Sequence, residues 1–200
     1  MSEFLKAIAN RRSIYALGNE EIVDRERIET IVTEVVRHTP SPYNSQSTRV
    51  VLLFGKESKR LWQITLDTLK ARISAAQYPK TEEKINNSFA SGYGTILFFE
   101  EQAVVEGFQK QFPSYADNFA VWSEHTNAMH QFAIWTALEA EGLGASLQHY
   151  NPIIDDAVKK EWDLPASWTL RAQIPFGKPL MTPGEKEFAD ISMRVKVFGK

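Results

Sequence analysis

Arg11, Arg12 and Ser13 set two guanidinium forks and a hydroxyl side by side. That donor set matches the oxygens of a phosphate. The same triplet also suits a helix end, where cations complement the carbonyl end of the dipole and a serine opens a turn. Further along, Thr39-Pro40-Ser41-Pro42-Tyr43-Asn44-Ser45-Gln46 is stiffened by its prolines and carries hydroxyls and amides that both donate and accept. In extended backbone Asn44 and Gln46 project to one side, as a reader of the alternating polar edge of a heterocycle would. A solvated turn accounts for the same composition. A third segment, Gly142 to Tyr150, opens with Gly142-Leu143-Gly144. These glycines either cap a helix or let backbone approach a flat ligand closely. They are not a dinucleotide fingerprint, because they follow a helix and lack the third glycine.

Composition removes other chemistries. With 0 cysteines there is no thiolate nucleophile, disulfide, cysteine-ligated zinc or iron–sulfur cluster. His38, His125, His130 and His149 do not have the spacing of a metal set, and no Gly-x-Ser-x-Gly elbow occurs. Redox chemistry would then rest on a bound organic cofactor or on a metal held by other ligands. Net charge is −2 with both signs interspersed, which gives no electrostatic footprint for nucleic acid. No apolar run reaches bilayer length and the N-terminus lacks a signal-like stretch, so the expectation is a cytoplasmic protein that does not engage the membrane.

The elements that must carry these residues follow from periodicity and caps. Ser2 caps a helix with Phe4, Leu5 and Ile8 on its apolar face, ending near Arg11. Asp24 caps a second, with Ile28, Ile31, Val32 and Val35 at helical spacing, stopped before Pro40. Strands are expected at Arg49 to Phe54, Gly94 to Phe99, Trp168 to Ile174 and Arg194 to Phe198, and helices at Lys56 to Ile73, Glu101 to Gln111 and Asn118 to Glu141. The last helix is long and aromatic, as a central or interface helix would be. In the last strand Met193, Val195 and Val197 alternate with Arg194 and Lys196. The interleaving predicts one mixed α/β domain over residues 1–200 with a covered central sheet.

Taken together, these pieces resemble the flavin-dependent nitroreductase family. Arg11-Arg12-Ser13 is similar to its N-terminal Arg-x-Ser signature, Pro40-Ser41-x-x-Asn44-x-Gln46 to its second motif, and Gly142 to Asn151 to the strand beside the flavin. Gly94 to Phe99, Leu147 to Pro152 and Pro175 to Pro179 resemble a short subgroup related to the yeast fatty-acid-repression protein and bacterial copper-induced nitroreductases. The resemblance implies an α+β, nitroreductase-like fold with a mixed, mainly antiparallel sheet. It implies a homodimer with two FMN molecules at the interface and exchange of the C-terminal strand, Arg194 to Phe198. Arg11, Arg12, Ser13 and Lys186 would hold the FMN phosphate. Ser41, Asn44 and Gln46 would reach the ring or ribityl chain from the other subunit. Backbone at Ser146, Leu147, Gln148 and His149 would flank the ring, one N–H toward N5.

One departure stands out: many members carry a cation two residues after the signature serine, near the N1–C2 edge, and here that place is Tyr15. Lys84 is the candidate replacement. The implied activity is ping-pong: NADH or NADPH delivers hydride to N5 and leaves, and a nitroaromatic or quinone-like acceptor takes the electrons, with no side-chain nucleophile. Two other readings keep their place beside it: a flavin-binding redox regulator or store with little turnover, and a flavin-free dimeric interaction module.

Overall fold

The computed structural model describes Met1 to Gly199. Helix α1 (Glu3–Asn10) begins where the Ser2 hydroxyl accepts the Leu5 N–H, and α2 (Arg25–His38) where the Asp24 carboxylate accepts the Arg27 N–H at 2.6 Å. Both satisfy N–H groups that a helix start leaves unpaired. Between them lies the two-residue strand β1 (Leu17–Gly18). After α2 come β2 (Thr48–Phe54), α3 (Lys56–Lys70) and α4 (Tyr78–Ile85), which runs into a π-helical turn at Asn86–Ala90. Then follow β3 (Gly94–Glu101), α5 (Gln102–Gln111), the long α6 (Ala116–Ala140), β4 (Gly144–Ala145), α7 (Asp155–Glu161) and β5 (Trp168–Pro179).

The sheet runs β1-β5-β3-β2 with β4 also on β5, every ladder antiparallel. A parallel bridge between Ser13 and Ala145 adds the mixed character. β3 reads as an unbroken apolar run because helices cover both of its faces. Ile96 and Phe98 turn toward α2 and α6, packing with Ile28, Val32, Ile134 and Leu138. Leu97 and Phe99 turn the other way onto Leu61, Trp62, Leu66, Phe89 and Val158. That alternation is the period-two geometry of a strand, and burying each phenyl contributes about 1.5–3 kcal/mol. β2 is an edge strand whose Val50, Val51 and Leu52 stay only partly covered.

One expected element does not form within the chain. Among the described residues Arg194 to Phe198 pairs with no strand of its own chain; the tail carries a short 3-10 turn at Ile191–Met193, and Met193, Val195, Val197 and Phe198 are exposed. A strand needs a neighbour to satisfy its N–H and C=O groups, and the described residues offer this segment none. Phe4, Val35, Met129, Phe132 and Ala133 line an apolar hollow of about 620 Å³ across α1, α2 and α6.

Candidate functional site

The long helix ends as its sequence suggests. Gly142, at φ +84°, donates to Glu139 O at 2.8 Å while Leu143 N–H reaches Leu138 O at 3.0 Å, the paired bonds of a left-handed helix stop. The chain then turns straight into β4. A Cβ on Gly144 would lie 2.9 Å from the Ile14 side chain, so only glycine lets the Ser13–Ile14 backbone approach this closely. The Ile14 N–H donates to Ala145 O at 2.9 Å. The arginine signature and the glycine-opened segment are thereby joined.

Beyond β4 the chain runs as an edge along β5. Ser146 N–H donates to Pro175 O, Gln148 exchanges both backbone bonds with Gln173, and the buried Gln173 amide oxygen accepts the Tyr150 N–H at 2.7 Å. Alternate residues of an antiparallel edge face outward. The N–H groups of Leu147 and His149 accordingly take no partner in the chain among the described residues. The Gln148 amide donates to the Ser146 hydroxyl at 3.1 Å.

The two arginines diverge. The Arg11 guanidinium lies 4.2 Å from the centroid of the Trp135 ring, and its Nε is buried without a partner. Burial first, then the neighbouring Arg12 cation, hold the Arg11 pKa below its ordinary value, against the pull of Glu139. Among the described residues Arg11 has no salt bridge. Arg12 donates instead to Gly184 O at 2.8 Å. Ser13 is exposed beside them. Lys186 follows Gly184 in the tail, its Nζ 5.2 Å from the Phe188 ring. Tyr15 and Lys84 meet on one buried side chain: the Tyr15 ring centroid is 6.5 Å and the Lys84 Nζ 5.8 Å from the Phe89 ring.

The Thr39–Gln46 loop differs from an extended reader of a planar edge. Tyr43, Asn44 and Gln46 all have left-handed φ, at 52°, 54° and 48°. Asn44 and Gln46 therefore do not alternate along a strand; the Gln46 amide reaches back to Asn44 O at 3.3 Å, and the Ser41 hydroxyl accepts the Gln46 N–H at 2.9 Å. Left-handed backbone costs a tyrosine or glutamine about 1–3 kcal/mol, and such residues gather at functional sites. The loop borders a hollow of about 390 Å³ with Trp122, His125, Thr126 and Met129 of α6. Thr126 is buried and its hydroxyl has no partner.

Two groups of residues result. Arg11, Arg12, Ser13 and Ser146 to His149 come together at the β4 end of the sheet through the Ser13–Ala145 bridge, Arg12 ties the root of the tail two residues before Lys186, and Tyr15 and Lys84 share Phe89. Ser41, Asn44 and Gln46 belong to the second group, with α6. No hydrogen bond, ring contact or shared cavity joins the two groups among the described residues. Sequence reasoning missed Trp135 and Phe89 as supports. Trp135 is far from Arg11 along the chain, and Phe89 sits in a π-helical turn that no periodicity announces.

The match to the nitroreductase family covers residues 8–178. Nitroreductase FRM2 of Saccharomyces cerevisiae is 36% identical over 187 residues, 92% of each chain. The structure of nitroreductase CinD from Lactococcus lactis in complex with chloramphenicol superposes with a TM-score of 0.90 at 45% identity, covering 98% of this chain and 100% of that one. CinD in complex with 4-nitrophenol gives the same TM-score at 46% identity and the same coverage. With the family's fold, an antiparallel sheet bridged to its arginine signature, and identity of this level over nearly the whole chain, the protein belongs to the nitroreductase family.

Proposed function

We propose that this oxidoreductase is an FMN-dependent NAD(P)H enzyme, working as a homodimer, that reduces small aromatic acceptors of nitroaromatic or quinone type. The observation that carries the reading is Arg11. A half-buried cation without a salt bridge among the described residues, its Nε unpartnered, is a donor set made ready for an anion. Ser13 beside it fits the phosphate of FMN, as does Lys186. The outward N–H groups of Leu147 and His149 suit the flavin ring, which has acceptors on its central edge. Tyr15 and Lys84, sharing Phe89, fit the N1–C2 edge. Ser41, Asn44 and Gln46, on the other group, would serve the flavin of a second copy.

When bound, FMN supplies the redox step, taking two electrons from NAD(P)H at N5 and passing them to the acceptor. The chain's own share is placement and exclusion of water. Ser146, Gln148 and the buried Gln173 hold the segment beside the ring rigid. The Lys84 ammonium would supply positive charge to the N1–C2 edge of a bound flavin. Trp122, Tyr43 and Met129 give the acceptor a flat apolar seat. That the CinD structures hold chloramphenicol and 4-nitrophenol supports this class of acceptor. The test is spectral. Purified protein should be yellow, bleach when mixed anaerobically with NADH or NADPH, and regain colour with a nitroaromatic or quinone. A colourless protein that takes up no added FMN removes the reading, and a flavin that bleaches only over minutes favours a redox regulator.

A further inference from the structure

The root of the tail follows one register. Gly18 pairs with Lys178 and Leu17 with Pro179; next the Leu180 N–H donates to Ala16 O at 2.9 Å, and then Arg12 Nη2 donates to Gly184 O at 2.8 Å. Each contact forward along the tail lies further back along the N-terminal segment, with no bond between residues 181–183 and 13–15 among the described residues. The Arg12 fork thus continues by side chain a ladder that backbone groups began. It is also the last tie. Among the described residues no hydrogen bond from Glu185 to Gly199 reaches the rest of the chain, and the segment's bonds are internal to its 3-10 turn.

Lys186 lies just beyond that tie. Two extended residues span at most about 7 Å, so holding Gly184 beside the signature confines Lys186 to the neighbourhood of Arg11 and Ser13. An ammonium on an unheld tail would sample a far larger volume and bind an anion at a lower effective concentration. Arg11 has the opposite character: it stacks on Trp135 and keeps its Nε unpartnered. Neighbouring arginines of one signature have thus divided the work.

Resting on the FMN reading above, we propose that Arg12 is a positioning residue: it pins the C-terminal segment so that Lys186 reaches the phosphate, and is not itself a phosphate ligand. Apoprotein of the wild type, Arg12→Met, Lys186→Met and the double variant would be titrated with FMN and with riboflavin, which lacks the phosphate. Amide hydrogen exchange over 182–190 would be followed without flavin. Losing one charge-assisted bond predicts FMN binding about tenfold weaker in Arg12→Met. Riboflavin binding should be unchanged, Lys186→Met should add no further loss, and exchange over 182–190 should quicken. Arg12→Lys, which can still donate to the carbonyl, should recover most of the affinity. Losses that multiply in the double variant, or FMN affinity unchanged in Arg12→Met, overturn the proposal. Wild-type protein that fails to prefer FMN over riboflavin overturns the phosphate reading beneath it, a different result from multiplied losses.

Discussion

A guanidinium resting on an indole ring, with one nitrogen buried and unbonded, is costly to leave without an anion. Arg11→Ala should therefore weaken FMN binding by about ten- to a hundredfold, the range of a charge-assisted bond, read from quenching of flavin fluorescence. Arg11→Lys should recover only part, since an ammonium neither forks onto two oxygens nor stacks as well on Trp135. Lys84 is a separate case, because its charge would bear on the reduced cofactor. Lys84→Met should lower the two-electron midpoint potential of bound flavin by about 30 mV, equivalent to about 1.4 kcal/mol, while FMN affinity changes little. A potentiometric titration with reference dyes decides, and an unmoved potential removes Lys84 from the flavin edge.

At the scale of elements, α7 and β5 offer a pH test. Asp155 is buried, one carboxylate oxygen has no partner, and burial raises its pKa despite Lys159 and the Leu170 N–H. The folded protein then holds this proton more tightly than the unfolded chain, so stability should fall as pH rises from the ordinary aspartate range through the raised value. Asp155→Asn removes the titration, and its melting temperature should decline less over that window. Much of this scaffold was legible in the sequence. Ser2 and Asp24 cap where expected, Gly142 stops α6, and the apolar run of β3 announced a strand. Other parts were hidden for physical reasons. β1 and β4 are two residues long, too short for any periodicity, and exist because β5 lies beside them. The loop at Tyr43–Gln46 holds left-handed backbone that tyrosine and glutamine do not favour, so propensity points away from it. The candidate site was legible as three motifs, but the Ser13–Ala145 bridge that joins two of them is a tertiary contact.

At the scale of the molecule, an uncovered edge at β2, an apolar hollow across α1, α2 and α6, and an exposed tail with apolar residues at alternate positions all ask for the same remedy. Edges and patches of this kind are usually covered by another chain. A truncation ending at Pro179 should sediment as a smaller species than the full chain and lose FMN, since both the proposed covering arm and Lys186 would be gone. A full-size species retaining flavin would remove the arm from assembly.

That one chain keeps its two groups of site residues apart has a genetic consequence. In the proposed dimer, a copy altered at Arg11 and a copy altered at Asn44 would each form defective pairs with themselves. Paired with one another, they give one site damaged twice and one wholly intact. Co-expression of the two defective forms should then restore about a quarter of normal flavin sites if copies pair at random, whereas two alterations within one group, Arg11 and Ser13 for instance, should restore none.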